Sequence, residues 1–311
     1  MESNSPSVGL SPQRKNGLLL VDKPQTWTSH DVVAFVRKRM KMKEVGHCGT
    51  LDPLASGLMV LLLGEGTKMS SYILEEDKTY LVTALLGVQT DTLDLDGQVT
   101  SRAEVNSTEV QIQQMIQELT GALQLKVPAY SAIKVDGVRL YKKARAAEVF
   151  EPPMREMVFR SVQLIDIKGS EIQIKIHCSK GSYIRSWVKE LGDRLGCGAA
   201  VKELRRLRSE PYSVEQALAL TELEGDDLDI ERAFIELPLI LPHWMTVRVD
   251  GMDQRLLSNG AISHHLKSKL MSHFKIGADH GVKVIDEEGR LLALIEFQLG
   301  SGFAIRRVFR H

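Results

Sequence analysis

Residues 46–57 crowd Gly46, Gly49, Gly57, Pro53, His47 and one carboxylate, Asp52, into a single stretch, and residues 58–63 directly after it are all apolar. Glycine reaches backbone angles that other residues avoid, and proline fixes φ and removes a donor. A segment so punctuated is a tightly prescribed loop. The apolar run is too short for an ordinary helix and too continuous for a half-exposed strand, so it reads as a strand covered on both faces. The spacing places Asp52 on the loop between a helix and this strand. Asp52 is then either a carboxylate held for chemistry or a turn residue ahead of Pro53, and spacing alone leaves both open.

At 311 residues the chain is long enough for a substantial core, and its length favours one large domain with one small one. With 43% hydrophobic and 26% charged residues it has the composition of an ordinary globular protein. The run at 58–63 falls far short of the ~20 residues a membrane-spanning helix needs, so no membrane segment is expected. Residues 1–16 are rich in Ser, Pro and Asn and lack a secretory apolar stretch, which reads as a disordered tail. Cys48, Cys178 and Cys197 form no C-x-x-C pair, so neither a disulfide framework nor a zinc site is indicated. A reducing cytoplasm fits, and no metal or cofactor is expected.

Lys plus Arg and Asp plus Glu number 40 each, a balance that lacks the basic excess of most RNA-binding proteins. The balance hides segregation. Residues 215–238 carry eight acids against Arg232 alone, which leaves 39 bases against 32 acids elsewhere. The excess gathers in Arg37, Lys38, Arg39, Lys41 and Lys43, just ahead of the loop, and in residues 180–208, where eight bases face three acids. Each cluster is either a solvated helix face or part of an RNA-binding surface.

Residues 17–24 read as a short buried strand stopped by Pro24, and Thr28-Ser29 offers an N-cap to a helix reaching Met40, with Val32, Val33, Val36 and Met40 on one face. A short helix over 66–75 carries Lys68, and a strand over 78–87 carries Tyr80, either as packing or as a ring offered to a base. An Asp96-Gly97 turn follows, then an amphipathic helix over 108–119 closed by Gly121. Residues 127–145 combine a strand, an Asp136-Gly137 turn and a basic helix, with Tyr130 and Tyr141 interleaved. Residues 171–178 alternate as a half-buried strand and lead to a helix ending near Leu195, with Arg185 in its first turn. Pro238, Pro242 and His243 mark a linker, and short strands at 246–249, 283–286, 291–297 and 303–309 suggest a β-rich module with an Asp-Glu-Glu-Gly turn. His264 and His265 have no partner at metal-ligand spacing and are taken as surface.

The stretch Gly46-His47-Cys48-Gly49-Thr50-Leu51-Asp52-Pro53-Leu54-Ala55-Ser56-Gly57 resembles the signature loop of the TruB family of tRNA pseudouridine synthases, G-H-x-G-T-L-D-P-x-A-x-G. The resemblance makes Asp52 the essential catalytic residue and gives His47 the task of displacing the target nucleotide from its stack. Cys48 stands where the family more often has threonine. Lys23-Pro24-Gln25-Thr26-Trp27-Thr28-Ser29-His30 is similar to the family's K-P-x-G-x-T-S-H, with Thr26 in place of glycine, an exchange expected to alter the local turn. His30, at the helix start, takes a structural role. K-x-Y maps the active-site tyrosine onto Tyr80, and Lys68 matches a basic residue kept near the site, in a phosphate-contacting or structural role. Asp91, in a T-D-T-x-D-x-D-G pattern, is structural.

Cys178-Ser179-Lys180-Gly181-Ser182-Tyr183-Ile184-Arg185 resembles the family element whose arginine pairs with the catalytic aspartate, here Arg185, and whose tyrosine lies beside the site, here Tyr183. An arginine in the first turn of a helix is disfavoured by the helix dipole, so an anionic partner is reasonable there, held bidentately by the guanidinium. Leu204 maps to an apolar residue of the uracil pocket. The implied fold is α+β: a mixed, largely antiparallel central sheet with flanking helices over 17–240, and a small C-terminal β-rich PUA-like RNA-binding domain over 241–311. Arg306, Arg307 and Arg310 at the end of that domain are candidates for contact with the tRNA acceptor arm.

The implied reaction isomerises uridine 55 in the T loop of tRNA to pseudouridine, exchanging an N1–C1′ bond for a C5–C1′ bond. It is redox-neutral and needs no cofactor. The base must leave the stack, detach, rotate and reattach, with Asp52 attacking C1′ or C6 or removing a 2′ proton, Arg185 orienting it, and Tyr80 stacking and helping to deprotonate C5. The implied partner is the tRNA T arm, met by a monomer without a guide RNA. Two other readings stand beside this one: a tRNA-folding chaperone without chemistry, and a hydrolase that would liberate free uracil.

Overall fold

The apolar run after the glycine-rich loop is strand Ala55–Leu63, and the computed structural model arranges the rest of the chain around it. The structure describes residues 15–310 except 132, 136, 147, 226–228 and 278. Most of the expected tail, Asp136 of the Asp-Gly turn, and Asp226 and Asp227 of the acidic segment lie outside the described residues. Lys15 and Asn16 do not behave as tail: Lys15 pairs with Glu231, and Asn16 Oδ1 accepts from the Glu65 amide at 3.0 Å.

The large body comprises β1 (Gly17–Lys23), α1 (Ser29–Met40), β2 (Val45–Cys48), β3 (Ala55–Leu63), β4 (Lys78–Leu86), α2 (Glu109–Glu118), β5 (Gly121–Lys126), α3 (Leu140–Arg145), β6 (Met154–Lys168), β7 (Glu171–Cys178), α4 (Ile184–Arg194) and β8 (Ala199–Ser209). Its sheet runs from the short strand Leu218–Ala219 through β1, β3, β8, β4, β7 and β6 to β5. The pairs β1 with Leu218–Ala219 and β3 with β8 are parallel, and the others along this path are antiparallel. The sheet is thus mixed and largely antiparallel. β3 lies deep within it, hydrogen-bonded to β1 on one side and shared on the other between β8 at its head and β2 at its tail.

The helices form where the chain offers both caps and an apolar stripe. Thr28 accepts from the Asp31 amide while the Asp31 carboxylate accepts from the Thr28 amide, a closed capping box. Arg37, Lys38 and Arg39 fall in the last turn of α1, where the helix dipole favours cations, and Val32, Val33 and Val36 are buried. α4 buries Trp187 completely, and its indole N–H donates to Leu119 O at 2.9 Å, so the largest core side chain leaves no polar atom open.

The C-terminal part comprises β9 (Met245–Arg248), α5 (Gly251–Ser258), α6 (His264–His273), β10 (Val282–Ile285), β11 (Leu291–Gln298) and β12 (Gly302–Val308), the strands forming one sheet in that order. β9 and β10 are parallel, which requires a crossover, and α5 and α6 supply it. The sequence reading of this part as strands alone missed both helices. A second apolar cluster, including Leu257, Leu266 and Val284, lies here, but Leu291, Leu294 and Phe309 join the core of the large body. The rings of Tyr72 and Trp244 meet edge to face at 5.0 Å across this junction.

Candidate active site

Asp52 lies on a loop between two strands, β2 and β3, rather than between a helix and a strand; β2 begins at Val45 and takes in Gly46, His47 and Cys48. The loop is clamped carbonyl by carbonyl. Arg206, buried on β8, donates from Nη2 to Gly49 O at 3.1 Å and from Nε to Leu58 O at 2.7 Å. Ser29 Oγ accepts from the Leu51 amide at 2.9 Å and donates to the Leu51 carbonyl at 3.0 Å, so one hydroxyl holds both backbone polar groups of Leu51. This is possible because Thr28, not Ser29, caps α1. Pro53 O accepts from the Thr26 amide at 2.8 Å and from Lys23 Nζ at 3.5 Å, and Asp52 O accepts from the Ala55 amide at 3.1 Å. Gly57 has φ +102°, and a Cβ there would stand 2.3 Å from Arg206 O. Only glycine lets β3 and β8 approach at this point.

Asp52 Oδ2 stands 3.0 Å from Arg185 Nη2; the carboxylate side chain is 37% exposed and the guanidinium side chain 6%. The pairing is not bidentate. Arg185 divides its fork: Nη2 also donates to Tyr130 O at 2.9 Å, while Nη1 donates to Thr92 O at 3.0 Å and to Asp94 Oδ2 at 3.4 Å. A buried guanidinium is tolerated because both its terminal nitrogens are engaged, and the engagement fixes it in one orientation. Asp94 is buried in turn, and Thr92 Oγ1 donates to its Oδ1 at 2.5 Å. Burial raises the Asp94 carboxyl above the ordinary range, against the pull of Thr92 and Arg185.

Tyr80 is opposite Arg206 in the β4–β8 register and Leu204 is opposite Val82 and Ala55, so these side chains share one face of the sheet beside the loop. Burial raises the Tyr80 phenol, and Arg206, which contacts it, works in the opposite direction. Burial also raises the Tyr183 phenol, which stands at the start of α4 within the field of Asp52 and Arg185. Lys23 Nζ donates to Pro24 O at 2.9 Å and Trp27 O at 2.7 Å; burial, opposed by Asp52, lowers it to about 8. His47 packs edge to face with His30 at 5.8 Å, its Nδ1 is buried without a well-formed hydrogen bond, and burial lowers its pKa.

Asp52, Arg185, Tyr80, Tyr183, His47 and Leu204 therefore come together at the head of β3. Lys68 does not join them. It follows the other end of this nine-residue strand, roughly 30 Å away at ~3.3 Å per residue. There its Nζ pairs with Glu65 and donates to Val308 O at 2.8 Å, tying the large body to β12. Asp91 accepts from the Gln98 amide at 2.8 Å and closes a turn. The sequence reading passed over Lys23, Ser29, Asp94 and Arg206, although the first three lie in motifs it quoted. A lysine in an apolar strand and an arginine in an alternating one were the available signals.

Most of the cations at 180–208 are spent within the protein. Arg205 pairs with Asp22 at 2.6 Å, Lys202 with Glu171 at 2.6 Å, Arg194 with Glu190 at 2.8 Å and Arg208 with Glu210 at 2.8 Å. Arg37 and Arg39 hold Val45 O and Leu223 O, each at 2.7 Å. By contrast Lys134, Arg139, Lys142, Lys143 and Arg145, on the hairpin Lys134–Arg139 and α3, make no ion pair among the described residues.

Residues 37–184 match the model of the TruB family pseudouridylate synthase N-terminal domain, and residues 185–233 match that of the tRNA pseudouridylate synthase B C-terminal domain. The chain is 45% identical over 300 residues to tRNA pseudouridine synthase B of Bdellovibrio bacteriovorus, covering 95% of this chain and 97% of the relative. It is 38% identical over 290 residues to the protein of that name from Thermotoga maritima, covering 93% and 92%. Among solved structures, a crystal structure of a Cbf5-Nop10-Gar1 complex shares the fold with a TM-score of 0.69 at 22% identity, covering 99% of this chain and 90% of that one. The matched ranges span Asp52, Tyr80 and Arg185, and the chain belongs to the TruB family of pseudouridylate synthases.

Proposed function

We propose that the protein converts uridine 55 in the T loop of tRNA to pseudouridine. The observation that carries this reading is the 3.0 Å contact between a part-exposed Asp52 and a buried Arg185 held through both terminal nitrogens. A carboxylate aimed by a fixed cation, open to solvent on one side, is placed to act on a nucleoside brought to it. Relatives that align along nearly the whole chain are named tRNA pseudouridine synthase B, which supports tRNA as the substrate.

The N1–C1′ bond breaks, a C5–C1′ bond forms, the C5 proton departs and N1 gains a proton, so the step is redox-neutral. Asp52 serves as the nucleophile, held by Arg185. Tyr80 stacks on the extruded base and helps to remove the C5 proton, Tyr183 and Leu204 line the pocket, and the neutral His47 takes the space the base vacates in the stack. Lys68 takes the structural one of its two expected roles. Residues 17–240 are the catalytic unit and 241–311 a PUA-like RNA-binding module. Arg306 pairs with Glu296 at 2.9 Å and Arg307 donates to Lys68 O at 3.2 Å, so the unpaired cations of the hairpin and α3 are the better candidates for gripping the T arm. The protein works in the cytoplasm as a monomer without a guide RNA.

The test is release of tritium from C5 of labelled uridines in an unmodified tRNA transcript, comparing the native protein with Asp52→Asn. Release by the native protein alone is expected. Binding of the transcript without release by either protein would favour a folding chaperone, and free uracil among the products would favour a hydrolase.

A further inference from the structure

Ser131 is 5% exposed, and its hydroxyl is buried without a well-formed hydrogen bond. Native folds satisfy nearly all buried polar groups, because an open one destabilises the state that holds it. The other described side-chain atoms in this condition are His47 Nδ1, Ser209 Oγ and Tyr212 Oη, and the last two sit together at the end of β8, where their residues pair. Ser131 is instead at the wall of the catalytic site. It follows Tyr130, whose carbonyl accepts from the same Arg185 nitrogen that reaches Asp52. Its hydroxyl faces the Tyr183 phenol, close enough to work against the burial that raises it, and that phenol lies in the field of both Asp52 and Arg185. The Ser131 carbonyl accepts from the Tyr141 amide at 3.1 Å, so the backbone beneath the hydroxyl is fixed to α3.

We infer that Ser131 is a specificity-determining residue whose Oγ hydrogen-bonds the edge of the uracil once the base has entered the site. This rests on the isomerase reading above. The edge of a uracil presents carbonyl, imide N–H and carbonyl in turn. A hydroxyl rotor donates to either carbonyl or accepts from the N–H, and enzymes that extrude a base read it along this edge. The open hydroxyl is therefore completed by the substrate, and an extruded base with a different edge finds a poorer partner.

C5 tritium release from the unmodified transcript is measured for the native protein, Ser131→Ala and Ser131→Cys, together with transcript affinity by filter binding and the melting temperature of each free protein. Both variants are expected to lose about tenfold or more in kcat/KM, as the loss of one buried hydrogen bond predicts. Transcript affinity stays within about twofold, since RNA binding is dominated by backbone contacts. The melting temperature of Ser131→Ala changes little, because in the free protein the deleted hydroxyl meets only the Tyr183 phenol, without a well-formed bond. Unchanged tritium release in either variant overturns the inference. So does a Ser131→Ala protein whose activity and melting temperature fall together, since that marks a structural hydroxyl. Absence of release by the native protein overturns the isomerase reading itself, and this inference with it.

Discussion

The loop of Asp52 and the basic hairpin that leads into α3 are both excursions from the sheet, yet they are held in opposite ways. On the first, Gly49, Leu51, Asp52 and Pro53 each engage a carbonyl or amide with partners on α1, β8 or the chain nearby. On the second, two strands of two residues each pair with one another, and α3 buries only Leu140. The loop places one carboxylate against one guanidinium, and small errors in such placement cost rate steeply. The hairpin, on the function proposed above, would present cations to a phosphate backbone, where the field matters more than the position of any one nitrogen. On the function proposed above, rigidity is concentrated where a bond would be exchanged, and charge without carboxylate partners where a long polyanion would be met.

The sharpest way to break this contrast is to loosen the clamp at its narrowest point. Gly57→Ala places a methyl 2.3 Å from Arg206 O at a φ of +102°, so β3 and β8 must separate. A loss of about 3 kcal/mol or more in unfolding free energy is expected, read as a lower urea midpoint, and an unchanged midpoint would mean the clamp is not rigid. Arg185→Lys tests the charge rather than the packing. A lysine keeps the cation but cannot serve Asp52, Asp94, Thr92 and Tyr130 from one planar fork. Turnover is expected to fall about 100-fold with KM little altered, whereas a fall under tenfold would show that charge alone suffices.

On the other side of the comparison, Lys142→Ala combined with Lys143→Ala is expected to raise KM for the transcript roughly tenfold with kcat retained. It should also flatten the salt dependence of binding by about one to two in slope, with the melting temperature unchanged. A lowered kcat at saturating transcript would show that the hairpin also shapes the site.

What the sequence disclosed follows the same division. β1, α1, β3, β4 and β7 were legible because their signals are local: an apolar run, a cap, an alternation. That Asp52, Tyr80, Tyr183 and Arg185 would lie together was legible through motifs that surround each of them. The clamp was not, because its bonds join residues far apart in the chain, Ser29 to Leu51 and Arg206 to Gly49. In sequence Ser29 is one of two candidate caps, and Arg206 is one member of a basic run whose other members face carboxylates. α5 and α6 escaped notice because their apolar stripes are short and sparse, interrupted by Asp, Gln and Arg in the first and by Lys, Ser and His in the second, and only the parallel pairing of β9 with β10 demands a crossover between those strands. Lys68 shows the converse: a motif assigned it to the vicinity of the site, while the length of β3 carries it to the opposite end.

Thr26 yields the smallest expected effect. It stands where the family motif has glycine, and the structure gives it φ +70°, a left-handed conformation that crowds a β-branched side chain. The chain tolerates this because the Thr26 amide must point at Pro53 O, 2.8 Å away, to close the clamp behind Asp52. Left-handed backbone costs a non-glycine residue about 1–2 kcal/mol, and glycine gives back about 0.5–1 kcal/mol through its freer unfolded chain. Thr26→Gly is thus expected to stabilise the protein by about 0.5–1 kcal/mol, read as a raised urea midpoint, with turnover unchanged. A variant more stable but slower would mean that strain at Thr26 contributes to the position of Asp52. A less stable one would mean that the threonine side chain makes contacts that outweigh its backbone strain, and that this part of the clamp is held by packing rather than by the hydrogen bond to Pro53.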